Sequence, residues 1–75
     1  MKLSNFIEGL TILRPYYVKQ DGFHIGAEHD QFFAYATDNP LSDGDVAKMR
    51  ELGWFQPDTV DDITYDPENG WIAFT

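Results

Sequence analysis

GFHIGAEHDQFFAYA, residues 22–36, decides how the rest of the chain is read. Two strand-like runs, FHIGA and QFFAYA, flank the polar centre EHD. Aromatic and branched residues on either side of a short polar break are the mark of a β-hairpin. A bend centred between His29 and Asp30 puts Phe23, Ile25 and Ala27 on one face with Phe32, Ala34 and Ala36, because successive strand side chains alternate. The opposite face then carries His24, Gly26 and Glu28 with Gln31, Phe33 and Tyr35. Gly26 falls opposite Phe33, leaving room for the ring to cover the neighbouring strand. A one-residue slip would exchange these cross-strand partners.

Upstream, Leu3, Phe6, Ile7, Leu10 and Leu13 recur at helical spacing. Ser4 is the expected N-cap, and Pro15 ends the helix near Leu13 or Arg14. Gly9 and Thr11 weaken this helix, so it needs packing against a sheet to persist. Lys19-Gln20-Asp21-Gly22 reads as a turn. Downstream, LSDGDVAKMRELGW (41–54) holds the strongest local code. Ser42 caps a helix with Asp45 three residues on, Leu41 and Val46 can form a hydrophobic staple, and Asp43 and Asp45 sit at the positive end. Gly53 suits a left-handed ending with Trp54 folding back on Met49, and Val46, Met49 and Leu52 form the buried side. WFQP is a short extension broken by Pro57, and 59–70 is a loop with an apolar anchor at Val60, Ile63 or Tyr65. In WIAFT, Trp71 and Ala73 alternate against Ile72 and Phe74, and Trp71 and Phe74 are expected to anchor the core. The expected fold is α+β, a single domain over 1–75 in the order αββαβ, with a three-stranded antiparallel sheet packed against two helices.

Seventy-five residues bury little surface, and twelve aromatics supply a dense core. Cysteine is absent, which excludes a disulfide framework and a thiolate nucleophile. MKLSNFIEGL leads into no long apolar run, so neither a secretory signal nor a membrane span is read, and a cytoplasmic protein is expected. The net charge of −8 is uneven: residues 1–37 carry −1 and residues 38–75 carry −7. That field repels phosphate backbones and suits a basic protein partner, though it also serves solubility.

The segment Glu28-His29-Asp30 holds the side chains that chemistry would need. Imidazole and carboxylates suit zinc, manganese or iron, and one reading makes these three residues the centre of a metal-binding or metal-assisted hydrolase domain. Against it, the sequence has no HExxH pattern and only two histidines. An acid–base reading that uses His29 or His24 as proton shuttle lacks shelter, because a hairpin tip is wet and His24 and Glu28 are separated by roughly 13 Å along an extended strand. The balance of residues favours a non-enzymatic protein-binding module that needs no cofactor. Phe33 and Tyr35, flanked by His24 and Glu28, form an apolar platform with polar handles, and Asp58, Asp61 and Asp62 add an acidic contact region. A third reading is a nucleic-acid mimic that sets Asp43, Asp45, Asp58, Asp61, Asp62, Asp66 and Glu68 against a basic groove. Phosphate-loop and serine-triad patterns are absent from the sequence.

GLTILRPYY, DGFHIGAEHDQFFAYATDNPLS, LGWFQPD and YDPENGWIAFT together resemble short, mostly uncharacterised proteins encoded by bacteriophages and prophages. The resemblance spans nearly the whole chain and carries no catalytic residues with it. It implies no established activity and points to a host-directed accessory protein, a role that suits a small, acidic, cysteine-free binder.

Overall fold

A computed structural model of the chain describes residues 1–57 and 64–74. Strands β1 (Ile25–Glu28) and β2 (Gln31–Ala34) form the hairpin, pairing Glu28 with Gln31, Ala27 with Phe32, Gly26 with Phe33 and Ile25 with Ala34. This is the register expected from the alternation. Tyr35 N–H donates to the His24 carbonyl at 2.8 Å and adds one rung beyond the strands. β3 (Trp71–Phe74) runs antiparallel to β2 and sets Ala73 opposite Phe32 and Trp71 opposite Ala34. With α1 (Leu3–Leu13) and α2 (Asp43–Glu51), the chain is an α+β fold of order αββαβ whose sheet runs β1-β2-β3. No helix among the described residues is long and apolar enough to cross a membrane.

α2 follows its local code. Ser42 accepts from Asp45 N–H at 3.2 Å, satisfying one of the free amides of the first turn. The Asp45 carboxylate does not reach back to the cap; it accepts instead from the Tyr16 hydroxyl at 2.5 Å. That hydroxyl in turn accepts from Ser42 N–H at 3.2 Å, so a residue of the preceding segment closes the capping box. At the far end Gly53 takes φ +99°. Gly53 N–H donates to the Arg50 carbonyl and Trp54 N–H to that of Met49, both at 3.0 Å, which is the paired bonding of a Schellman ending.

α1 departs from the expectation in two ways. Its cap position is Lys2, in extended backbone, with no side-chain bond, so Ser4 lies inside the first turn. The earlier start serves Asn5, which donates to the Leu52 carbonyl and whose own carbonyl accepts the Trp54 indole N–H, each at 3.3 Å. The buried face is also turned. Leu3 and Ile7 are exposed, whereas Gly9 and Leu13 are buried and Phe6, Leu10 and Ile12 pack at the core's edge. At 100° per residue, the buried side is rotated by roughly 80° from the centre of the aliphatic stripe. Trp54 causes the turn: its indole lies against Gly9, where any Cβ would overlap the ring, and it stacks on Phe6 at 5.7 Å. Pro15 ends the helix as expected, in a short 3-10 turn over Arg14–Tyr16.

The inner face of the sheet supplies Ala34, Trp71 and Ala73 to a core shared with Leu13, Tyr17, Leu41, Val46, Met49, Leu52 and Trp54. Tyr65 is the anchor of the loop before β3; it stacks on Trp71 at 6.1 Å, and its hydroxyl accepts from Leu41 N–H at 3.0 Å. Val60 and Ile63 lie outside the described residues. Phe23 is 99% exposed and, with Ala36, falls outside the strands, so neither joins the inner face. Phe74 is 53% exposed, not core. Strand alternation requires this once Trp71 and Ala73 point inward.

Candidate functional site

The outer face of the sheet gathers side chains from four segments. Gly26, Phe33 and Ile72 form one cross-strand row, and Phe55 extends it through an isolated bridge to Ile72. Two backbone bonds hold that bridge, Phe55 N–H to Ile72 O at 3.0 Å and Ile72 N–H to Phe55 O at 2.7 Å. Glu28, Gln31 and Phe74 form the next row. Phe33 lies over Gly26, where a Cβ would stand 2.5 Å from its Cε2 atom. Rings pair across the surface, Phe33 with Tyr35 at 5.7 Å between centroids and Phe55 with Phe74 at 5.1 Å. Tyr35, Phe55 and Phe74 are exposed, Phe33 and Ile72 half-buried. Beside them opens a groove of about 440 Å³, lined by Phe33, Tyr35, Pro57, Glu68, Asn69 and Ile72 among others.

Phe33, Tyr35 and Glu28 therefore stand where the alternation puts them, but His24 does not. Its ring stacks on Tyr17 at 4.2 Å between centroids, and its Nε2 lies 2.5 Å from the Lys19 carbonyl oxygen. His24 precedes β1, and the turn at Lys19–Gly22 holds it toward the 3-10 segment. There it lines a separate cavity of about 230 Å³ with Leu10, Leu13, Arg14, Tyr17 and Ile25. Asp58, Asp61 and Asp62 lie outside the described residues. Ile72, Phe55 and Phe74 join this surface in addition to the residues that the hairpin pattern predicts. For Ile72 and Phe74 the alternation in WIAFT was the available signal; the bridge by Phe55 has no local signature.

Glu28 ends β1, His29 and Asp30 form the two-residue bend of the hairpin, and all three are exposed. No group of three His, Asp or Glu side chains among the described residues is placed to hold a metal ion, so these three do not converge as a ligand set. His29 instead has a backbone role, taking φ +45° in the two-residue turn. Left-handed backbone costs an L-residue about 1–2 kcal/mol, which glycine avoids. His29→Gly is thus expected to raise stability by about 0.5–1 kcal/mol, a gain of a few degrees in the unfolding midpoint. His29→Val should lower it. A thermal melt of the two variants checks the order, and a less stable glycine variant would contradict the strain.

Tyr17, beneath His24, donates to the Tyr35 carbonyl at 2.7 Å. Burial, aided by the Asp38 carboxylate, pushes its hydroxyl up from the ordinary 10 to about 12. The unfolded chain gives up this proton near pH 10, and the folded chain holds it. The stabilisation is therefore complete below pH 10 and is lost as pH rises toward 12. Melting temperature should fall more steeply across that window in the parent protein than in Tyr17→Phe. Parallel profiles would refute the assignment.

Compared with known proteins, the chain matches no family model, no curated protein and no solved structure.

Proposed function

We propose that this protein is a small acidic binding module, without enzymatic activity of its own, that holds another protein through the outer face of its sheet. One observation carries the reading. Phe33, Tyr35, Phe55, Ile72 and Phe74 form a continuous apolar surface, and no described element covers it. Contiguous apolar surface on a folded domain marks an interaction site, whereas scattered exposed side chains do not. Aromatic anchors with a polar surround are where interfaces concentrate their energy, and Glu28, Gln31 and Glu68 supply that surround. The resemblance to phage and prophage proteins supports a host protein as the partner. The charge of −7 in residues 38–75 supports one with a basic surface.

Partner capture from a host extract tests this with Phe33→Ala and Phe74→Ala against Ile7→Ser, an exposed change on α1. Each variant's melting temperature is measured alongside. The sheet variants should reduce recovery of one discrete partner at least tenfold, roughly the loss expected of an interface anchor, and Ile7→Ser should not. Equal recovery by all three would overturn the reading.

A further inference from the structure

We infer that the groove beside Phe33 and Tyr35 receives an arginine-bearing segment of the partner protein; this rests on the binding function proposed above and specifies its chemistry. The floor is aromatic. Phe33 and Tyr35 present rings tilted at 52° to one another, beside Ile72 and with Pro57 in the lining. Among the described residues that line the groove, Glu68 is the only charged one and none is basic. The only two ion pairs among the described residues both use Lys48, with Glu8 at 3.5 Å and Glu51 at 3.7 Å, so neither involves Glu68.

The charged rim is held in place. Gln56, 4% exposed, donates from Nε2 to the carbonyls of Asp66 and Asn69 at 2.7 and 3.2 Å and accepts from Asp66 N–H at 2.9 Å. Asn69 donates to the Pro57 carbonyl at 2.6 Å, and the Asp66 carboxylate accepts from Glu68 N–H at 2.9 Å. The turn bearing Glu68 is thereby fixed before any partner arrives, which lowers the ordering cost of binding. An aromatic floor attracts a cation through the negative faces of its rings, and a carboxylate at the edge completes the match. Arginine fits better than lysine: its planar guanidinium stacks on rings, takes a carboxylate in two parallel bonds and sheds water more readily. Apolar neighbours of that arginine would cover Ile72. A nucleic acid would bring phosphates toward Glu68 and is disfavoured.

The test titrates the whole protein with acetyl-Leu-Arg-Leu-Arg-Leu-amide and with its glutamine and lysine counterparts, followed by amide chemical shifts. The arginine peptide should bind at least fivefold more tightly than the glutamine peptide and more tightly than the lysine one. It should move the amides of Phe33, Tyr35 and Ile72, and higher salt should weaken it. Glu68→Gln should shrink the arginine advantage to below twofold without changing the melting temperature. Equal binding of the three peptides, shifts confined to another surface, or indifference to Glu68→Gln would each overturn the inference. If those results came while partner capture still depended on Phe33 and Phe74, the binding function would stand and only the arginine preference would fall. Capture indifferent to both side chains would remove the binding function itself.

Discussion

Gly9→Ala is expected to destabilise the protein by about 2–3 kcal/mol, although alanine in a helix interior normally gains up to about 1 kcal/mol over glycine. The sign reverses because a Cβ at position 9 would overlap the Trp54 indole, with Cε2 at 2.5 Å and Cδ1 at 2.8 Å. Trp54 cannot swing aside. It is 1% exposed, donates its indole N–H to the Asn5 carbonyl, stacks on Phe6 and meets Phe32 edge-on. α1 must therefore lift from the core or the ring must leave its rotamer, and close-packed interiors resist both. For a domain of this size the loss corresponds to a fall of roughly 10–20 °C in the unfolding midpoint. Thr11→Ala, on an exposed site of the same helix, gives the ordinary response and should be neutral or slightly stabilising. Pairing Gly9→Ala with Trp54→Phe should recover part of the loss, because the smaller ring vacates space beside position 9. A Gly9→Ala variant more stable than the parent would disprove the close approach.

This contact also shows why the sequence disclosed some parts of the fold and not others. The hairpin register follows from period-two alternation around a two-residue bend, and α2 from caps within a few residues of its ends. Such signals are local, and the structure retains them. The rotation of α1 depends on Trp54, 45 positions away, whose indole needs the small side of the helix rather than its aliphatic stripe. His24 departs from the expected face for the same reason. The alternation that places Gly26 and Glu28 stops at the strand's end, and a stack on Tyr17 takes over. Phe74 is a different case: reading both Trp71 and Phe74 as core anchors conflicted with their three-residue separation on a strand. Alternation was the stronger rule. Half of the candidate surface was thus legible, since Phe33 and Tyr35 come from the hairpin, whereas Phe55 and the wall at Pro57 and Asn69 depend on long-range closure.

That closure is exposed most directly by Gln56→Leu. Leucine is close in size and better suited to a buried site, so a purely hydrophobic account of position 56 expects a neutral or stabilising change. The hydrogen bonds give the opposite result. Leucine leaves the Asp66 N–H and the carbonyls of Asp66 and Asn69 without the partner that Gln56 supplies. An orphaned backbone group costs about 1–3 kcal/mol where water cannot replace the bond, and Asp66 and Asn69 stand near enough to solvent for partial replacement. The net loss should be about 2–4 kcal/mol, a large share of the 5–15 kcal/mol typical of whole domains. It should also be local in its consequences. Denaturant melts would register the stability loss, and hydrogen exchange would accelerate at Asp66 and Asn69 before it does in β1. Affinity for the arginine peptide should drop further in Gln56→Leu than in a variant of equal stability loss elsewhere, such as Gly9→Ala, at temperatures where both remain folded. Only a rim positioned by Gln56 separates the two variants in this way. Equal affinity in both would mean that Glu68 does not need the clamp, and a Gln56→Leu protein as stable as the parent would mean that the clamp is not formed.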